Sequence, residues 1–482
     1  MSDQTSGPVD FRLAPLNRRR FLHGGAAVAS GIAGASWLGG SLIPDAALAA
    51  TTVNVEIDAG QNEEPFKWQT DALVKKFGLE PKLIGLPFVG QYEKLVSELT
   101  ARSSAYDLLV FPPYFLGDFV ALGFLRELDG YKSLIDPQLD DYLPVYRDPV
   151  IKRDGKLYAL MYDGDSLQVA YRTDLFGDAA EQKNFKAKFG WDLAPPKTWD
   201  QFMQIAEFFT RPPNLYGTAF YAQRGFCYAW FINIFAGLGG KWFSDDMKPG
   251  INSEIGVKAL EMLVKQKQYA PPNILQIGYP ELNEAFLNGS TAMVIQWNDL
   301  AFKVANPKMS KVVGKGGYAP VPQRTYMPYS RVMAVSAFSK RPEDAYKVAA
   351  HMQMPDVDVT YFYDSECGED PYRKSALNWQ AATKNHLGQP ALDEASAKSY
   401  VQAINDGLKD GYPELSIPGA PRYLDILDLY VSQALAGSLP PKAALDAAAN
   451  EWNSITQAED LDTQKRAYAA WVKSFKDVGL AY

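Results

Sequence analysis

Asp163 and Asp165, separated by Gly164, are the first residues whose types invite a chemical reading. Two carboxyls can act as acid and base on a glycosidic bond, but only when they face each other across ~5 to 9 Å of cleft. Neighbours on one turn cannot straddle a substrate that way. Tyr361 and Tyr363 about Phe362 carry phenolates of the kind that hold ferric iron. They lack histidine or cysteine companions, and a buried aromatic strand or helix is the better account. Gly314, Gly316 and Gly317 with Lys311 and Lys315 fall short of a phosphate-cradling loop. Two cysteines, Cys227 and Cys367, are too few for an iron–sulfur cluster, a cysteine zinc site or a disulfide scaffold; whether they form one disulfide is not decided by spacing. Three histidines, His23, His351 and His386, weaken any histidine-based catalysis. No cofactor and no metal is expected. What remains is binding chemistry, carried by carboxylates, amides, arginines and aromatic faces.

Composition narrows the class further. The 482 residues are 47% hydrophobic and 22% charged, an ordinary globular balance long enough for two or three domains. A net charge of −8 with no long basic run excludes nucleic acid as an expected partner. Aromatic residues reach 13%, above what packing alone usually requires. Residues 1–49 read as a cleaved export signal: Arg18-Arg19-Arg20-Phe21-Leu22, a Gly/Ala-rich apolar stretch, then Ala47-Leu48-Ala49. The arginines followed by Phe-Leu resemble a twin-arginine leader. No later segment has the 18 or so apolar residues that cross a bilayer, and no cysteine follows the leader to carry a lipid. A free monomer in the periplasm is the expectation.

The elements that must position these groups follow from periodicity. Thr52–Ile57 predicts a strand; Phe66, Leu73, Val74 and Phe77 give a helical face ended by Gly78. Lys82–Leu86 predicts a strand, Tyr92 to Leu99 a helix, and Tyr106–Phe111 a buried strand. That alternation predicts a parallel sheet covered on both faces. Lys156–Arg172 reads as two β runs broken at Asp163-Gly164-Asp165. Thr198 to Gln201 is a capping box opening a helix, a further helix begins at Asn252, Thr291–Trp297 is a buried strand, and nearly everything after Pro342 is helical.

Several stretches carry a family likeness. Pro195-Pro196-Lys197-Thr198-Trp199-Asp200-Gln201-Phe202, Glu284 to Met293 and Trp297, with Asp154 to Ala159, Tyr171 to Phe176, Ser310 to Lys315, Ile417 to Ala420 and Glu451-Trp452, resemble, in order, the extracytoplasmic solute-binding proteins of sugar ABC importers. Within these, the likeness is to the cluster related to maltose-binding protein. It implies an α/β, periplasmic binding protein-like fold: two α/β lobes joined by a multi-strand hinge, with a ligand cleft between them. The lobes expected are residues 50–162 plus about 320–374, and 163–319 plus about 375–482. It implies a non-enzymatic receptor for a carbohydrate or derivative, closing on its ligand and partnered by inner-membrane permease subunits. The alternatives are an exported carbohydrate-active lyase or hydrolase, or a binder of a polyamine or iron.

A sugar offers apolar C–H faces and a ring of hydroxyls, so its pocket needs aromatic platforms and hydrogen-bonding groups beyond the carboxyl ends of strands. Gln61, Asn62, Glu63 and Glu64 follow the first strand, and Tyr114 follows the third. Asp163 and Asp165 stand at the first crossing between lobes, where similar proteins place a ligand carboxylate. Trp297, followed by Asn298 and Asp299, matches the family tryptophan that stacks on the sugar. Tyr228, Trp230 and Arg224 lie in or beside the aromatic run Phe226 to Phe231. Arg331, after Tyr329-Ser330, and Arg373, at the expected third crossing, could clamp hydroxyls or an acidic group. Two such arginines would favour an anionic or highly polar derivative.

Overall fold

Val53, Val55 and Ile57 alternate along the first strand and are wholly buried, which fixes its register against the sheet core. The computed structural model describes residues 50–481 apart from 329–330, 385–387 and 389; the leader, His386 and Tyr329-Ser330 lie outside the described residues. Eight strands position the site: β1 (Thr51–Asp58), β2 (Leu79–Leu86), β3 (Leu108–Phe111), β4 (Leu160–Asp163), β5 (Leu167–Arg172), β6 (Met293–Trp297), β7 (Gly316–Pro320) and β8 (Arg331–Val335).

One sheet has the order β2-β1-β3-β8-β4 and another the order β6-β5-β7. In the first, β1 is parallel to β2 and β3, as the strand–helix alternation predicts. A later strand, β8, joins the same sheet antiparallel to both β3 and β4. It enters only after β5, β6 and β7 have been built, so it arrives from the far end. The second sheet is antiparallel throughout. The chain passes from one sheet to the other at Asp163–Leu167 and returns between Pro320 and Arg331.

Helix punctuation follows the sequence signals. Glu64–Phe77 ends at Gly78, whose φ of 65° is the left-handed cap conformation. Thr198 and Gln201 form the reciprocal capping box of the helix Trp199–Phe209. Tyr228–Gly237 buries all but its last residue, so the aromatic run is a core helix. Tyr361 and Phe362 end the helix Pro355–Phe362 and are buried. Cys227 and Cys367 are buried free thiols. Among the described residues no helix is long and apolar enough to cross a membrane.

A close approach at the crossing shapes what lies next to it. Gly164 donates from its backbone to Asp370 O at 2.9 Å. A Cβ there would lie 2.6 Å from Tyr372 Cβ and 2.9 Å from Pro371 O. Only glycine lets the segment 370–372 press against the first crossing.

Candidate functional site

A cavity of about 570 Å³ opens beyond the carboxyl ends of β1, β3 and β6. Asp58 closes β1 and Arg331 opens β8; the guanidinium donates from Nε to Oδ1 at 2.5 Å and from Nη2 to Oδ2 at 2.6 Å. Asn62 donates to the same Asp58 carboxylate at 2.8 Å, and Phe88 lies 5.4 Å beneath the guanidinium. Opposite, Trp297 ends β6. Its ring meets Phe226 at 5.5 Å and Tyr279 at 5.6 Å, leaving it partly buried on the cavity wall. Gln61 donates to Tyr279 Oη at 2.9 Å, and Tyr279 in turn donates to Asp299. Lys303 donates to Asp299 at 2.7 Å and to Cys367 O at 2.9 Å. Tyr114, Tyr221 and Glu414 complete the wall.

Charge is distributed unevenly. Asp58, Asp165, Asp299 and Glu414 all line the cavity and each is more than nine-tenths buried. Burial, with Asp163 and Asp370 close by, pushes the Asp165 carboxyl well above the usual carboxylate range. Asp370 is raised by burial and by Asp299 and Asp163. Burial lifts Glu414 to about 8, although Tyr228 and Tyr326 both donate to it and oppose the rise. Burial works against the charge of Arg331, but Asp58 outweighs it and holds the guanidinium protonated. Asp163, Asp165 and Asp370 bring carboxylate oxygens within 4.8 Å of one another. Among the described residues theirs is the spacing that could hold a metal ion, and their mutual repulsion adds to burial in raising Asp165 and Asp370. Asp165 and Asp370 share a side-chain hydrogen bond, while Oδ1 of Asp299 and Nε1 of Trp297, both closed off from solvent, have no hydrogen-bond partner.

Of the residues singled out from sequence, Gln61, Asn62, Tyr114, Asp165, Trp297, Asp299 and Arg331 meet on this one cavity. Asp163 lies just behind it, accepting from Asp370 N at 2.7 Å. The other five are placed elsewhere. Glu63 pairs with Lys67 at 3.3 Å on the next helical turn. Trp230 is buried beneath Trp297 and donates to Ile295 O at 3.2 Å; Tyr228 is buried with its hydroxyl on Glu414. Arg224 is exposed and bridges to Asp425 at 2.7 Å. Arg373 is wholly buried, bound to Asp358 at 2.6 Å and stacked 4.6 Å over Tyr142. Arg373 is therefore lost to the cavity, bound to Asp358, and Arg331 stands on the cavity wall already paired with Asp58.

Asp58, Phe88, Tyr221, Phe226, Tyr279 and Glu414 are cavity residues that sequence reasoning did not select. Asp58 had a signal, since it stands at the carboxyl end of β1, one turn before residues that were chosen for that reason. Glu414 reaches the cavity only because its segment packs against Tyr228, 186 positions away.

Residues 29–358 match the family model described as bacterial extracellular solute-binding protein. A probable amino-acid ABC transporter periplasmic-binding protein of Sinorhizobium fredii is 26% identical over 326 residues, 65% of this chain and 71% of that one. Among solved structures, an ABC transporter solute-binding protein of Agrobacterium radiobacter in complex with ribitol matches with a TM-score of 0.73 at 22% identity, covering 85% of this chain and 99% of that one. The maltose-bound T. maritima protein matches at 0.71 and 19% identity over 84% and 100% of the two chains. A relative from Agrobacterium vitis with bound D-mannitol matches at 0.69 and 23% identity over 85% and 99%. At such identities the likeness speaks for the fold.

Proposed function

Because the chain belongs to the bacterial extracellular solute-binding proteins, we propose that it captures a carbohydrate or carbohydrate derivative beside Trp297 and delivers it to the permease of an ABC importer. The observation that carries this reading is the pairing, on one cavity, of the Trp297 ring with acidic and amide acceptors and donors. A sugar's C–H face suits the ring, and its hydroxyls suit the groups around it. The ligands printed for the related structures, ribitol, maltose and D-mannitol, are of the same hydroxylated kind. An amino acid fits less well, despite the description of the Sinorhizobium relative. Its carboxylate would need a cation, and Arg331 is already committed to Asp58.

The lobes in this reading are residues 50–162 with about 320–374, and 163–319 with about 375–482; the membership of the two sheets supports that division. Closure requires that the guest bind the closed arrangement more tightly than the open one. Contacts from Asp58, Gln61 and Arg331 on one side and Trp297 and Asp299 on the other supply that difference. The protein is a periplasmic monomer exported by the twin-arginine route, without a lipid anchor, and it binds without turnover.

A thermal-shift panel of sugars and polyols identifies the guest, and calorimetry then compares wild type with Trp297→Ala and Trp297→Phe. Loss of a buried aromatic anchor costs about 2 to 4 kcal/mol, so Trp297→Ala binds roughly 30- to 1000-fold more weakly, and Trp297→Phe recovers part of this. Unchanged affinity in Trp297→Ala, or product formed from the bound saccharide, overturns the reading.

A further inference from the structure

Group by group, the charged wall of the cavity is already engaged by the protein itself. Asp58 is met by Arg331 and Asn62, Asp299 by Tyr279 and Lys303, and Glu414 by Tyr228 and Tyr326; Asp165 shares a hydrogen bond with Asp370. Lys303 is taken up by Asp299 and Cys367 O. What remains to meet a guest is largely aromatic: Phe88, Tyr114, Tyr221, Phe226, Tyr279 and Trp297 line the same space. Phe226 ties the rings into one surface. It lies 5.5 Å from Trp297, 6.3 Å from Tyr221 and 5.9 Å, edge-on, from Phe88. The turn after β2 carries Phe88, and the next residue, Val89, is 72% exposed, its Cγ2 lying 3.4 Å from where a Cβ on Gly225 would stand. Apolar surface therefore runs from Trp297 by way of Phe226 and Phe88 out to solvent.

Resting on the capture reading above, we propose that the guest is a glycoside with an aryl aglycone, whose flat apolar end lies against Phe88, Tyr221 and Phe226 while its sugar lies beside Trp297. A plain hexose or polyol carries hydroxyls on every side. Those turned toward the aromatic surface would lose water and gain no partner, and each such loss costs free energy. An aryl ring placed there gives up no hydrogen bond and meets the other rings edge-on or offset, the arrangements they prefer. The sugar end keeps amide and hydroxyl partners in Gln61, Asn62 and Tyr114 on the same wall. Size agrees, since a cavity of about 570 Å³ is of the class that takes a drug-sized molecule and leaves room beyond a single sugar ring.

The test is calorimetry on the full exported chain with matched pairs: methyl against phenyl β-D-glucopyranoside, and the same pair of galactosides and of xylosides, with sorbitol, maltose and benzyl alcohol alongside. The phenyl member of a bound pair is expected to bind about tenfold to a hundredfold tighter than the methyl member, the effect of burying one aromatic ring. Its binding should also carry the more negative heat-capacity change. Phe226→Leu and Tyr221→Leu should each cut that preference about threefold to tenfold; the ratio is taken within one variant, so a general loss of stability cancels. A ratio unchanged in both variants, or methyl glycosides, sorbitol or maltose binding as tightly as the phenyl glycosides, overturns the aglycone inference and leaves carbohydrate capture standing. Benzyl alcohol binding as tightly as the phenyl glycosides, or no saccharide or glycoside binding, overturns the capture reading and the inference with it.

Discussion

Glu414→Gln should stabilise the free protein relative to wild type by about 1.4 kcal/mol at pH 5.5 and by about 3 kcal/mol more at pH 8. The carboxyl is buried against Tyr228 and Tyr326, which donate to Oε1 at 2.8 and 3.0 Å, and burial lifts it from the ordinary 4.5 to about 8. In the fold it therefore keeps its proton up to about pH 8, while in the unfolded chain it ionises above pH 4.5. Folding takes up a proton in that window, so the stability this group contributes is fully present below pH 4.5 and is lost as pH rises to about 8. Each pH unit of mismatch is worth about 1.4 kcal/mol, which makes the loss between pH 5.5 and 8 about 3 kcal/mol as an upper figure. Glutamine keeps an acceptor for the two phenols and cannot ionise, so the variant should be free of this slope. Urea unfolding of both proteins at the two pH values measures it. His351, which burial lowers to about 4, and the other buried acids are common to both proteins and cancel in the difference. Parallel pH profiles for wild type and variant would refute the reasoning.

Asp58→Asn should destabilise the free protein by about 3 kcal/mol in the same assay, because it weakens a bidentate pair that is more than nine-tenths buried and leaves a guanidinium in a dry wall; a change below about 1 kcal/mol would mean the pair behaves as a surface contact. Gly164→Ala should cost about 1 to 3 kcal/mol or fail to fold, because its Cβ would meet Tyr372 Cβ at 2.6 Å. A melting temperature equal to wild type would show that the two segments separate easily.

Most of the frame was legible because it is locally determined. The alternation of Val53, Val55 and Ile57, the stop at Gly78 and the box at Thr198 and Gln201 each act within one element, and each appears where periodicity and capping predict. The cavity was legible where it follows the strand-end rule, at Gln61, Asn62, Tyr114, Trp297 and Asp299. It was illegible where a residue's surroundings come from distant segments. Nothing in the sequence around Arg373 announces that Asp358 and Tyr142 will enclose it, nor that Asp58 and Arg331, 273 positions apart, will neutralise each other. The place of β8 in the first sheet was hidden for the same reason, since it joins only after a long excursion through the other sheet.

The contact at Gly164 has a mechanical consequence. With the backbone of 371–372 wedged against this single hydrogen-sized gap and a hydrogen bond from Gly164 to Asp370, neither span can twist by itself. A displacement of one span must therefore be shared by the other, and Asp163, Asp165 and Asp370, which the two spans carry, shift together.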